Sequence, residues 1–175
     1  MDDKVKQKIL ENYRASVQKR IRIGMPDIFE NRDEAYTRII LEEFFNAAEN
    51  TIRVFCGTFS SEVYSHISDS LLNALNRGVD IRVIAATEIN TLDSRTLADI
   101  LISRDRLRQA SNASIQFSHF VLVDNKMFRI EKKQSTREAW VCACATKDTL
   151  LTRVVKDYED LHNMMWNEAT PYNLT

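Results

Sequence analysis

The chain has 175 residues, 44% of them hydrophobic, and a formal charge of −1. That length supplies one ordinary core and leaves no comfortable room for a second complete domain. A charge so near zero gives no long-range field for nucleic acid or anionic membrane, so such binding would need a localised basic patch. No apolar run reaches the roughly 20 residues of a membrane span, which argues against membrane insertion. Three cysteines and no apolar N-terminal leader lead to the expectation of a reducing cytoplasm and free thiols.

Val5, Ile9, Tyr13 and Val17 recur every four positions and predict an N-terminal helix over Asp2 to Arg22. Its polar face carries Lys4, Lys6, Lys8, Arg14, Lys19, Arg20 and Arg22 against Asp2, Asp3 and Glu11. Such a helix docks on its own domain or on a second subunit, and the same pattern also suits an anionic polymer or membrane surface. Gly24-Met25-Pro26 closes it and begins a short linker, dividing the chain into a helix over 1–24 and a domain over 25–175. Asn31 or Asp33 is the expected N-cap of the next helix, which runs to about Asn50 and buries Ile39, Ile40, Phe44 and Phe45. The run Ile52 to Phe59 reads as a buried strand. Ser60 or Ser61 then caps a helix through Leu71, Leu72 and Leu75, closed by Gly78, and the strand Asp80 to Ala86 follows. A further helix spans Thr91 to Ser103, and Arg104-Asp105-Arg106-Leu107-Arg108 after it reads as a basic patch. Strands alternating with amphipathic helices imply an α/β domain whose first half is largely parallel.

The second half changes character. Ile115 to Phe117, His119 to Val123 and Met127 to Ile130 read as short strands, with Asp124-Asn125-Lys126 as a hairpin turn. Lys132 to Arg137 is a polar loop before the strand Ala139 to Ala145. Thr146 is the expected cap of a final helix through Trp166, with a core face of Leu150, Leu151, Val154, Val155, Tyr158, Leu161, Met165 and Trp166. An aromatic in a strand, such as Trp140, is more often core than a ligand-stacking surface.

Cys142 and Cys144 are too close on one strand for a good mutual disulfide, and Cys-Ala-Cys lacks the spacing of a zinc knuckle. They read as small buried hydrophobes, with no metal and no cofactor implied. Only three glycines are present, so there is no phosphate-cradling loop. His66 and His162 fall inside predicted helices and read as packing residues.

The phrase Phe117-Ser118-His119-Phe120-Val121-Leu122-Val123-Asp124-Asn125-Lys126 resembles the motif of the phospholipase D-like family. That motif is His-x-Lys, four mostly apolar residues, then Asp. Phe117 stands in the histidine place, His119 in the lysine place and Asp124 in the aspartate place. Asn76-Arg77-Gly78-Val79-Asp80 before an apolar strand is similar to the family's first βαβ unit, and Tyr158 to Trp166 resembles its terminal helix. The resemblance runs from about Arg32 to Ala169. It implies a mixed sheet flanked by helices, to which the N-terminal helix is extra, and a site built from two motif copies within a chain or across a dimer. In the family one histidine attacks phosphorus and a second acts on the leaving group. A phenyl ring has no lone pair and no exchangeable proton, so Phe117 performs neither step.

The family's Gly-Ser-x-Asn-like segment would fall near Glu138 to Cys144, and Ala139-Trp140-Val141-Cys142-Ala143-Cys144 has neither serine nor asparagine. These departures lead to the expectation of a catalytically inactive domain acting as a binding or regulatory module, homodimeric, with a pseudo-site of Phe117, His119, Asp124, Lys126 and Cys142. Arg104, Arg106 and Arg108 are the candidate phosphate contacts. His119 either keeps part of the lysine's role or is a half-buried side chain paired with Asp124 or a backbone carbonyl. Asp124 either orients His119 or forms a turn with Asn125 and Lys126. Two alternatives stay open: a dimeric nuclease or phosphodiesterase using His119 and Asp124, and an accessory subunit that binds another protein through its N-terminal helix. Nucleic acid and protein are both candidate ligands.

Overall fold

The computed structural model describes residues 2–31, 33–57, 61–86, 91–111, 117–132 and 138–172, with backbone alone over 61–65 and 91–96. Helix α1 (Asp3–Ile23) opens on Asp2, whose carboxylate accepts from Lys4 N, and closes on Gly24 at φ 60°. That left-handed C-cap is the conformation glycine adopts without strain. What the sequence reads as a plain linker contains β1 (Ile28–Asn31). Asp33 caps α2 (Glu34–Ala47), accepting from Tyr36 N. Asn31 instead lies in β1 and donates from Nδ2 to Thr37 Oγ1 at 2.7 Å.

Strand β2 (Thr51–Cys56), helix α3 (Ser61–Asn76) and strand β3 (Asp80–Ala85) form the expected βαβ unit, with β2 and β3 parallel and Thr51 opposite Asp80. The proposed caps Ser60 and Ser61 lie outside the described residues and side chains, as do Thr58 and Phe59. Helix α4 (Thr91–Ser103) has the predicted bounds. Strand β4 (Leu107–Gln109) follows, parallel to β3. The hairpin of β5 (Phe120–Val123) and β6 (Met127–Glu131) turns through Asp124 and Asn125, both at positive φ (52° and 54°). Short polar residues tolerate that conformation, and the paired left-handed residues match the twist of a hairpin. Strand β7 (Ala139–Cys142) is shorter than predicted, because a 3₁₀ turn (Ala145–Lys147) intervenes before α5 (Thr149–Glu168). Asp148, not Thr146, caps α5, accepting from Leu150 N and Leu151 N. Strand β8 (Thr170–Pro171) ends the order β1-β7-β6-β5-β2-β3-β4-β8 of the eight-stranded sheet formed by the described residues.

Alternation along the strands sorts the core into two layers. Ile52, Val54, Cys56, Ile81, Val83, Val121 and Val123 meet α1 to α4, where Phe44, Phe45, Ile67 and Leu71 are buried. Phe55, Ile84, Phe120, Leu122 and Phe128 meet α5 through Leu151, Val155, Met165 and Trp166. Leu150 departs from the predicted core face of α5 and is 68% exposed, whereas Leu151, its neighbour in the same turn, points about 100° further round the helix and is 6% exposed. The apolar stripe of α1 also divides. Val17 is fully buried and Tyr13 packs on the first layer, whereas Val5 and Ile9 are 49% and 40% exposed. Arg14 fastens the helix to α2 through Glu42 (2.5 Å) and Glu43 (2.6 Å). No helix among the described residues is long and apolar enough to cross a membrane.

Candidate functional site

β5 runs antiparallel to β2, so the residues before Phe120 arrive at the C-terminal ends of β2 and β3. In open α/β sheets, crevices that bind ligands lie outside those ends, where the strand order changes direction. His119 occupies this position, with its side chain 22% exposed. Its Nδ1 lies 3.0 Å from Glu131 Oε2, and Glu131 Oε1 accepts from Arg129 Nη1 at 2.9 Å. Arg129 is 4% exposed and reaches Thr37 Oγ1 on α2 at 3.4 Å. The Glu131 N–H also donates to the His119 carbonyl at 2.9 Å, so backbone and side chains register the same pair. Burial works against a charge on Glu131, yet hydrogen bonds from His119 and Arg129 and their charges hold its carboxyl below the ordinary glutamate range. An ionised carboxylate can only accept, so His119 Nδ1 is the donor to Glu131. Gly57 makes room for the ring. A Cβ built there would sit 2.6 Å from both Cε1 and Nε2 of His119, too close for any side chain.

His119 is therefore half-buried and paired, with Glu131 as its partner where the sequence reading named Asp124 or a backbone carbonyl. Phe117 packs partly buried against the α5-side layer, the layer to which Phe55, 5.9 Å from the His119 ring, also belongs. Asp124 lies at the other end of β5. Its Oδ1 accepts from Asn50 N (2.7 Å) and Thr51 N (2.8 Å), and its Oδ2 from Glu49 N (2.8 Å). It thus neither orients His119 nor makes only a local turn; it fastens the α2–β2 connection to the hairpin. Lys126 is at that same end, 3.8 Å from Glu49 and 3.7 Å from Asp124. Cys142 is fully buried in the α5-side layer, where burial pushes its thiol up to about 11. All three cysteines are free and buried.

The basic patch dissolves into internal partners. Arg106 Nη1 bonds Asp80 Oδ1, joined there by Arg53 (2.6 Å) and Arg82 (3.5 Å). Arg108 bonds Asp105 (3.0 Å) and the Trp166 carbonyl (3.1 Å), and its guanidinium lies 4.3 Å from the Trp166 ring centroid. Arg104 alone of the three candidates is exposed. Trp140 is 47% exposed, with Lys132 Nζ 5.9 Å from its ring, so this strand aromatic is surface rather than core. His162 is fully buried, stacked on Trp166, and burial with the charges of Arg53 and Arg82 lowers its pKa to about 3. His66 is exposed on α3. No metal-binding cluster of His, Cys, Asp and Glu occurs among the described residues.

Comparison of the sequence with family models and with curated proteins gives no match. Solved structures do match. A phospholipase D family member, Nuc from Salmonella typhimurium, superposes with a TM-score of 0.66 at 21% identity, over 85% of this chain and 99% of its own. NucT from Helicobacter pylori gives 0.58 at 8% identity, over 83% and 100%. The chain has the phospholipase D-like fold. The archaeal chromatin protein TrmBL2, whose structure shows a novel mode of DNA binding, matches at 0.61 and 16% identity, over 97% of this chain and 63% of its own. Within the phospholipase D-like fold, the His119–Glu131 pair is the feature that motif reading missed.

Proposed function

We propose that this chain is a non-hydrolytic phospholipase D-like domain, a binding or regulatory module that works as a homodimer. The observation that carries this reading is a phenylalanine, Phe117, in the motif's histidine place. Displacement at phosphorus needs a nucleophile and a proton donor for the leaving group. The phenyl ring packs partly buried against the α5-side layer, and His119 is the imidazole that pairs with a carboxylate at this end of the sheet. Nucleic acid is the first ligand class to test. A DNA-binding chromatin protein shares the fold over nearly the whole chain, and Lys4, Lys6, Lys8 and Lys19 of α1 are exposed. Binding through such lysines weakens steeply with salt.

A second reading, a dimeric phosphodiesterase with one His119 from each subunit, is favoured by Glu131, because a carboxylate on Nδ1 is how a nucleophilic or basic imidazole is oriented. Incubation with bis(p-nitrophenyl) phosphate, DNA and RNA distinguishes the two. We expect no turnover above a blank; turnover that disappears in His119→Ala and falls in Glu131→Gln would overturn the non-hydrolytic reading. Sedimentation equilibrium of the full chain tests the dimer, and a monomer at all concentrations would refute that part.

A further inference from the structure

A cavity of about 640 Å³ opens at the end of the sheet opposite His119, between the C-terminal ends of α1 and α2, the β5–β6 turn and the loop after β7. This volume lies within the usual range of small-molecule sites. Its wall carries Arg22, Arg77, Lys126 and Lys147 against the single carboxylate of Glu49, an excess of three positive charges in a chain whose net charge is −1. Two of the cations serve helix ends. Arg77 Nη2 donates to the carbonyls of Phe45, Asn46 and Ala48 at 2.8 to 3.3 Å, and Lys147 Nζ to that of Ile23 at 3.1 Å. Two helix C-termini together ask for only about one unit of positive charge, so capping does not account for the excess. Lys126 reaches its carboxylates only at 3.7 to 3.8 Å, and exposed Arg22 makes no hydrogen bond or ion pair among the described residues. Ala47, Met127 and Ala143 give the cavity an apolar floor.

The geometry points to a binding site for a small organic phosphate, its anionic group held by Arg22, Lys126 and Lys147 and its carbon body resting on Ala47, Met127 and Ala143. Multiple cations around a concave wall suit a dianion, and charge-assisted bonds to phosphate are about twice as strong as neutral ones. The residues Ile21 to Gly24 form one wall, so an occupied site ties the end of α1 to the hairpin and to the loop after β7. Neither His119 nor Glu131 lines this cavity.

The test uses the full chain with ADP, ribose 5-phosphate and unphosphorylated adenosine, read by thermal melting and calorimetric titration. We expect a saturable rise in melting temperature with either phosphate and none with adenosine. Arg22→Ala with Lys126→Ala should weaken binding by about tenfold or more, while His119→Ala leaves it unchanged. Absence of any shift with both phosphates, an equal affinity in the double variant, or loss of binding in His119→Ala would each overturn the site. Circular dichroism of the double variant guards against unfolding, and both side chains are exposed enough to be removed without loss of core.

Discussion

Asp124→Ala is expected to damage the fold rather than the candidate site. The Asp124 side chain is 3% exposed and accepts three backbone N–H bonds of 2.7 to 2.8 Å from residues 73 to 75 positions earlier. Hydrogen bonds to a charged partner contribute about 1.5 kcal/mol or more each, so truncation should cost about 4 to 5 kcal/mol. In a domain of this size that lowers the melting temperature by roughly 10 to 15 °C. Asp124→Asn is a graded control. An amide oxygen at the Oδ1 position still accepts from Asn50 and Thr51, but an NH₂ group then faces the Glu49 N–H, so about 1.5 to 3 kcal/mol is lost. Urea denaturation monitored by circular dichroism measures both. A cost below about 1 kcal/mol for the alanine variant, or equal costs for the two, would refute the three-bond clamp.

Glu131→Ala leaves Arg129 buried without its carboxylate, and a loss of about 3 kcal/mol or more is expected in the same denaturation experiment. Because the folded Glu131 carboxyl sits below its free value of 4.5, its contribution is present above that pH and fades as pH falls through the lower folded value. Glu131→Gln should therefore show a flatter acid limb than the wild type. His162 titrates near 6.5 when free and about 3 when folded, so its contribution is present above pH 6.5 and declines on acidification. At pH 5 this amounts to roughly 2 kcal/mol. His162→Phe should flatten stability between pH 6.5 and 5, and an unchanged slope would contradict the burial argument. Finally, Val17→Ala should cost about 2 kcal/mol and Val5→Ala less than about 0.5, since only Val17 is buried. Equal costs on thermal melting would mean that α1 docks along its whole length.

Elements whose cause is local were readable in the chain. Thr91–Ser103 emerged with its observed bounds, Gly24 and Gly78 closed their helices, and Asp124-Asn125-Lys126 turned the hairpin, because propensity, capping and left-handed backbone are properties of a few adjacent residues. Strand β1 was not readable, since four residues with little alternation become a strand only by pairing with β7. Arg106 looked free because its partner Asp80 lies 26 residues away, and Arg108 because it also reaches the Trp166 carbonyl 58 residues on. Glu131 left a usable signal: a hairpin that pairs Val123 with Met127 also brings His119 opposite Glu131. The motif directed attention to Asp124 instead, at the far end of the strand.

The amino-acid order alone determined the α/β alternation, the helix ends, the turn and the chemical incapacity of Phe117, all of which depend on short-range sterics and side-chain chemistry. Tertiary structure alone decided that Glu131 and Arg129 hold the imidazole, and that Lys126 joins Arg22 and Lys147 at the opposite end of the sheet. Those juxtapositions come from strand register and layer packing, which bring together residues more than a hundred positions apart, as Lys147 and Ile23 are at 124.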